Sequence, residues 1–167
     1  MSNVAPASAV DLILREAVLN GDITLIEFFP TAFGVALPAS TAVIDSIVID
    51  QDASFILYGW AGNISQPAGT NIPFPDVTLD VRNQGSGRYF SKNPMHWNTV
   101  MGNAQNVFFF RNPVVIPGAS NLQITLTNLT AAGYARVDMT WIGDKARSLN
   151  NYDLSNLLAP ADFAYTR

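Results

Sequence analysis

The sequence contains no cysteine and a single histidine, His96. Without thiols there is no disulfide, no thiolate nucleophile, and no cysteine-ligated zinc or iron–sulfur centre. One imidazole excludes any site built from two or more. Charge is scarce as well: 13% of the 167 residues are Asp, Glu, Lys or Arg, about half the ~25% of an average soluble domain. Only two lysines are present, Lys92 and Lys145, and the net charge is −4. No nucleic-acid partner is expected, because phosphate contacts need a basic face. No apolar run reaches the ~18 residues of a membrane helix, so no membrane partner is expected either. The opening Met1-Ser2-Asn3-Val4-Ala5-Pro6 lacks the basic and apolar regions of a signal peptide, and use without Sec export is the expectation. In that setting Asn63-Ile64-Ser65 and Asn128-Leu129-Thr130 match the glycan-acceptor pattern by chance.

What is present is apolar: 49% of the chain. The length fits one domain able to bury roughly 68–70% of its unfolded surface. Two readings fit so little charge. Either much of the surface is hidden against other subunits, or a large core carries an Asn/Thr/Ser/Gln surface. The first predicts a homo-oligomer.

Residues 7–20 read as a short amphipathic helix. Val10, Ile13, Leu14, Ala17 and Val18 fall on one stripe of a 3.6-residue period. Ser8 can cap its start and Asn20-Gly21 can stop it. So short a helix must dock to persist.

From Asp22 the period becomes two. Val77, Leu79 and Val81 alternate with polar residues, as do Leu122, Ile124 and Leu126, and Ala135, Val137, Met139 and Trp141. Each is the pattern of a half-buried antiparallel strand. Ile23–Phe29, Val43–Asp50, Phe55–Trp60 and Val107–Phe110 are apolar on both faces, which suits a sandwich centre or a strand under a partner. Turn chemistry separates these runs, including Pro38-Ala39-Ser40, Pro73-Phe74-Pro75, Asn112-Pro113 and Pro117-Gly118. With a weak strand near Arg88–Ser91 there are about eight strands and no long helix between them. The expected fold is all-β: an antiparallel two-sheet β-sandwich, jelly-roll-like, with an immunoglobulin-like order also compatible with the spacing.

The expected organisation is an N-terminal arm and helix over 1–21, a sandwich over 22–147, and a C-terminal arm over 148–167. That arm is rich in large apolar residues: Leu149, Tyr152, Leu154, Leu157, Leu158, Phe163 and Tyr165. Pro160 stops any helix beyond one turn at Leu154–Ala159. The candidate docking residues are Val10, Ile13 and Leu14 in the helix, and Tyr152, Leu154, Leu157, Leu158, Phe163 and Tyr165 in the arm.

Catalytic patterns are weak. His96 lies among packing residues, Asn93-Pro94-Met95-His96-Trp97, and no G-x-S-x-G elbow exists. Glu16 sits on the helix and Glu27 in an apolar strand, so no carboxylate pair converges. Asp45, Asp50 and Asp52 lack the glycine and closing glutamate of a calcium loop. Gln84-Gly85-Ser86-Gly87-Arg88 lacks the third glycine and following helix of a phosphate cradle. Trp60 and Trp141 read as core, and Trp97 as an exposed ring able to stack on a sugar. No enzyme, catalytic residue, metal or cofactor is expected.

One stretch carries a resemblance. The apolar Phe108–Phe110 run ends at Asn112-Pro113. Pro117-Gly118 then leads into Leu122-Gln123-Ile124-Thr125-Leu126-Thr127-Asn128, and the strand from Arg136 closes on Gly143-Asp144-Lys145. Upstream, Val77–Phe90 places a Ser86-Gly87-Arg88 turn after a strand. Residues 77–147 thereby resemble small jelly-roll-like virion structural proteins of tailed bacteriophages. The resemblance implies a subunit of the virion, assembled in the host cytoplasm, with capsid, connector or tail proteins as partners and no catalytic residues. Capsid decoration (cement) or a head–tail junction is the first reading. A tail or receptor-binding component is the second, and a carbohydrate-binding sandwich module the third.

Overall fold

The structure, a computed structural model, describes residues 9–148 except 67, 68, 70, 73 and 104. Its elements in chain order are α1 (Ala9–Leu19), β1 (Ile23–Phe28), β2 (Thr31–Leu37), β3 (Ala42–Val48), β4 (Ser54–Ser65) and β5 (Val77–Asn83). They are followed by β6 (Met95–His96), α2 (Trp97–Val100), β7 (Phe108–Ile116), β8 (Asn121–Asn128) and β9 (Tyr134–Ser148). No described helix is long and apolar enough to cross a membrane.

The strands pair first with last and work inward. β2 lies against β9, β3 against β8, β4 against β7, and β5 against β6, all antiparallel. This is one long hairpin folded over on itself. The result is two sheets, β1-β9-β4-β7 with β2 also on β9, and β3-β8-β5-β6. The order is that of a jelly roll. An immunoglobulin-like order, also open from spacing, is not the one formed.

The alternating segments form as their period demands. Val77, Leu79, Val81, Leu122, Ile124, Leu126, Val137, Met139 and Trp141 are buried between the sheets, with polar neighbours pointing out. Trp60 ties the layers together. Its ring centroid lies 5.8 Å from Trp141 and 4.9 Å from Phe110 on its own sheet. It also lies 5.5 Å from Phe90, whose N–H donates to the Val81 carbonyl of the facing sheet. The weak strand expected near Arg88–Ser91 is this attachment, reinforced by a bridge between Arg82 and Tyr89.

Three segments differ from the sequence reading. Thr31–Leu37 forms β2, which continues β1 along the same edge of β9; between them the Trp141 N–H donates to the Pro30 carbonyl at 3.0 Å. Asn112-Pro113, expected as a turn, lies inside β7. β7 is the last strand of its sheet, and its pairing with β4 skips from Leu57 to Gly59 across that stretch. An edge strand at a bulge tolerates a proline, because the lost N–H there has no partner to lose. β9 runs to Ser148, which pairs with Ile23, so the sandwich extends one residue past its expected end.

α1 lies on the outer face of the larger sheet. Leu14 and Ala17 pack with Ile23, Ile56, Val115 and Ala146 in a second, smaller cluster. The docking this helix requires is thus met, at least in part, by its own subunit.

Candidate functional site

A cleft of about 720 Å³ opens at one end of the sandwich, between the end of β4, the segment before β5, and α2 with the loop after it. Among the described lining residues, the polar side chains are mainly carboxamides: Asn63, Asn71, Asn98, Asn103 and Gln105. These amides mostly build the walls. Asn63 Nδ2 donates to Asn71 Oδ1 and Asn98 Nδ2 to the Pro75 carbonyl, both at 3.0 Å. Asn103 Oδ1 accepts the N–H groups of Gln105 at 3.0 Å and Asn106 at 2.8 Å. None of the described lining residues is ionisable, and what they offer is hydrogen bonds and apolar surface.

Trp97, read from sequence as an exposed stacking ring, is 5% exposed. Gly62 makes room for it: a Cβ there would stand 2.5 Å from the Trp97 ring. The ring that faces solvent is Phe74, 80% exposed at the rim. Its position between Pro73 and Pro75 was the available signal, since a doubly proline-flanked residue is held out of a sheet.

His96 is half exposed, with Nδ1 3.9 Å from Asp76 Oδ1. Its expected role was packing or hydrogen bonding; it lies at the surface, and the neighbouring Trp97 is the residue that packs. Its strand residue pairs with Thr78.

The three aspartates considered for a cation go separate ways. Asp45 Oδ2 accepts the Phe33 N–H at 2.7 Å, Asp50 pairs with Lys145, and Asp52 lies 3.2 Å from Arg147. No group of three metal-ligating side chains forms among the described residues. The Gln84–Arg88 segment is a turn, where Asn83 Oδ1 accepts the Gly85 and Ser86 N–H groups that an anion would need.

Apolar exposure is the more distinctive feature. β3 and β7 are the outer strands of their sheets. On β3, Ile44 and Val48 point outward, 61% and 63% exposed, and on β7 Phe109 is 62% exposed. These come from the two-sided apolar runs, whose second face has no cover among the described residues. A third apolar area flanks α1, where Leu14, Val18, Leu19, Leu25 and Tyr58 line a groove of about 490 Å³. Of the docking candidates, Ile13 is partly exposed beside this area, whereas Leu14 is buried against the sheet. The Val10 side chain and Tyr152, Leu154, Leu157, Leu158, Phe163 and Tyr165 lie outside the described residues.

The chain matches no protein-family profile and no curated protein sequence.

Proposed function

We propose that this chain is a non-enzymatic structural subunit of a phage virion, decorating the capsid or sitting at the head–tail junction. It acts by packing against copies of itself and neighbouring virion proteins. The observation that carries the reading is the pair of apolar outer strands, with Ile44 and Val48 on β3 and Phe109 on β7 held out to solvent. An edge strand offers free backbone groups, and natural monomers usually blunt it with charge. Here Ile44, Val48 and Phe109 stand exposed beside Ser46, Arg111 and Asn112, and so large an aliphatic and aromatic share suits a surface covered on assembly. The jelly-roll order and the likeness of residues 77–147 to phage virion proteins point the same way.

The test is Ile44→Lys combined with Val48→Lys. Both side chains are exposed, so thermal melting should stay within a few degrees of wild type, since such surface changes cost about 0.5 kcal/mol or less. Oligomers in sedimentation and incorporation into particles should be lost. Unchanged assembly would remove β3 as the docking edge.

A second reading rests on Phe74. An exposed ring at the rim of an amide-lined cleft is the equipment of a glycan site, and would suit a tail or receptor-binding component. Glycan binding abolished by Phe74→Ala, with assembly intact, would favour it over the first.

A further inference from the structure

Among the described residues β3 is the outermost strand of the smaller sheet, and the direction of its hydrogen bonds is fixed at both ends. The Asn128 N–H donates to the Thr41 carbonyl at 2.8 Å, and the Ile49 N–H donates to the Ser120 carbonyl at 2.9 Å. Between them the register runs from Ala42 opposite Thr127 to Val48 opposite Asn121. Bonded pairs alternate along an antiparallel ladder. Val43, Asp45 and Ile47 therefore turn their backbone groups to β8, while Ile44, Ser46 and Val48 turn theirs to the edge.

That edge is guarded at its centre. The Ser46 N–H donates to Asp45 Oδ1 at 2.7 Å. The other oxygen of the same carboxylate accepts the Phe33 N–H of β2, also at 2.7 Å. Phe33 has a φ of 70°, a left-handed conformation that is costly for a bulky side chain. One carboxylate thus ties an edge donor to a bend that itself needs holding. Asp45 shares the core-facing side of β3 with Val43 and Ile47, and an inward-turned charge on an outer strand is one way sheets resist a foreign strand.

The strand being resisted can be read from the outward side chains. Ile44, Ser46 and Val48 are all exposed, and they are symmetric in character about Ser46. A second β3 laid antiparallel on this edge, with the two-fold axis at Ser46, puts Ile44 opposite Val48 of the copy and Ser46 opposite its equivalent. Aliphatic pairs then flank a small polar one, the self-complementarity that a two-fold interface requires. On the inner side the same pairing lays each Asp45 opposite Ile47 of the copy. A carboxylate that has given up the Ser46 N–H would there face hydrocarbon, at a cost.

We propose that the β3 edge is a pairing surface for the β3 of a second copy of this chain, antiparallel about Ser46, and that the Asp45 carboxylate is the latch that keeps it shut. The latch acts on backbone groups, whereas the virion packing proposed above acts through outward side chains, so either can fail alone.

Hydrogen exchange and sedimentation of the full chain test it. In the wild type the amides of Ile44, Ser46 and Val48 should show no protection that grows with protein concentration. In Asp45→Ala all three should gain such protection, with those of β8 unchanged, and self-association should strengthen at least about ten-fold, the effect of one charge-assisted hydrogen bond. Asp45→Asn keeps the shape but has one acceptor oxygen for two N–H groups, so it should shift the same amides less far in the same direction. Adding Ser46→Pro to Asp45→Ala removes the edge N–H without touching the ladder to β8, and should return association to the wild-type level. Unchanged exchange at the three amides in the Asn variant would overturn the proposal even where the Ala variant fails to fold. Association that survives Ser46→Pro, or concentration-dependent protection already present in the wild type, would overturn it as well.

Discussion

Lys145 holds its ammonium 4.5 Å from the centre of the Phe28 ring. The ring in turn meets Phe55 edge-on at 5.6 Å. The lysine therefore points into the rim of the sandwich, largely shielded, where a cation over an aromatic face contributes about 0.5–2 kcal/mol. Lys145→Met should lower unfolding stability by that order in a urea titration, with the β-sheet spectrum unchanged.

The same lysine governs Asp50. Its hydrogen bond and then its charge hold the Asp50 carboxyl below the ordinary value of 3.8. A carboxyl depressed by folding stabilises fully above its unfolded value and loses that contribution as pH falls through its folded value. Asp50→Asn should therefore melt below wild type at neutral pH, and the two curves should converge in acid below 3.8. In the Lys145→Met background most of the difference should vanish at every pH.

Neighbouring residues of β8 should differ sharply. Leu126 is fully buried between the sheets, while Thr125 faces outward. Leu126→Ala should cost about 2–5 kcal/mol through lost transfer energy and a residual cavity. Thr125→Ala should cost no more than about 0.5 kcal/mol. Equal losses in denaturant unfolding would mean that the register is wrong.

Asn128 is a buried fastener, 1% exposed. Its Nδ2 donates to the carbonyls of Ala132 at 2.8 Å and Pro38 at 3.0 Å, and its Oδ1 accepts the Thr130 N–H at 2.9 Å. Asn128→Ala should cost about 1–3 kcal/mol, the penalty for stranding buried partners. Asn128→Asp should be worse at neutral pH, because a carboxylate would face carbonyl oxygens, and should recover partly in acid. Thermal melting across pH separates the two.

Trp97 and Phe74 should respond oppositely to truncation. Trp97→Ala should destabilise by about 3–5 kcal/mol, as expected of a large buried ring. Phe74→Ala should leave stability within about 0.5 kcal/mol. Chemical denaturation of both variants decides it.

The strands with clean alternation were legible because each carries its own inside–outside code. Leu122, Ile124 and Leu126 needed no partner to be read correctly, and all are buried. β2 hid because its code is broken. Phe33 and Gly34 take φ of 70° and 114°, and the pairing with β9 shifts register there. The Asp45 carboxylate steadies that bend from another strand, a contact no local pattern encodes. Pro113 misled for the same reason, since a proline marks a turn unless a distant pairing makes its strand an edge. The cleft was invisible as a unit: its amides come from three separate segments, and Trp97 reads as exposed until Gly62 is brought beneath it. The apolar outer faces of β3 and β7 were visible as two-sided hydrophobic runs, but only the sheet order shows that both are edges.

The first-with-last pairing also sets a timetable for synthesis. β9 is the hub of the larger sheet, flanked by β1 and β2 on one side and β4 on the other. While the chain is being made, β1 and β2 emerge early and wait for the strand that will hold them, whereas β4 can already pair with β7. The apolar faces of β1 and β2 are then unpaired through most of translation, the condition under which nascent β-chains associate wrongly. β3, β8, β5 and β6 can close before residue 134 appears, and β4 can pair with β7, but the larger sheet stays open until β9 is made. The larger sheet is thus completed only late, and a premature stop before β9 leaves the smaller sheet facing a bare β4–β7 pair with β1 and β2 unpaired.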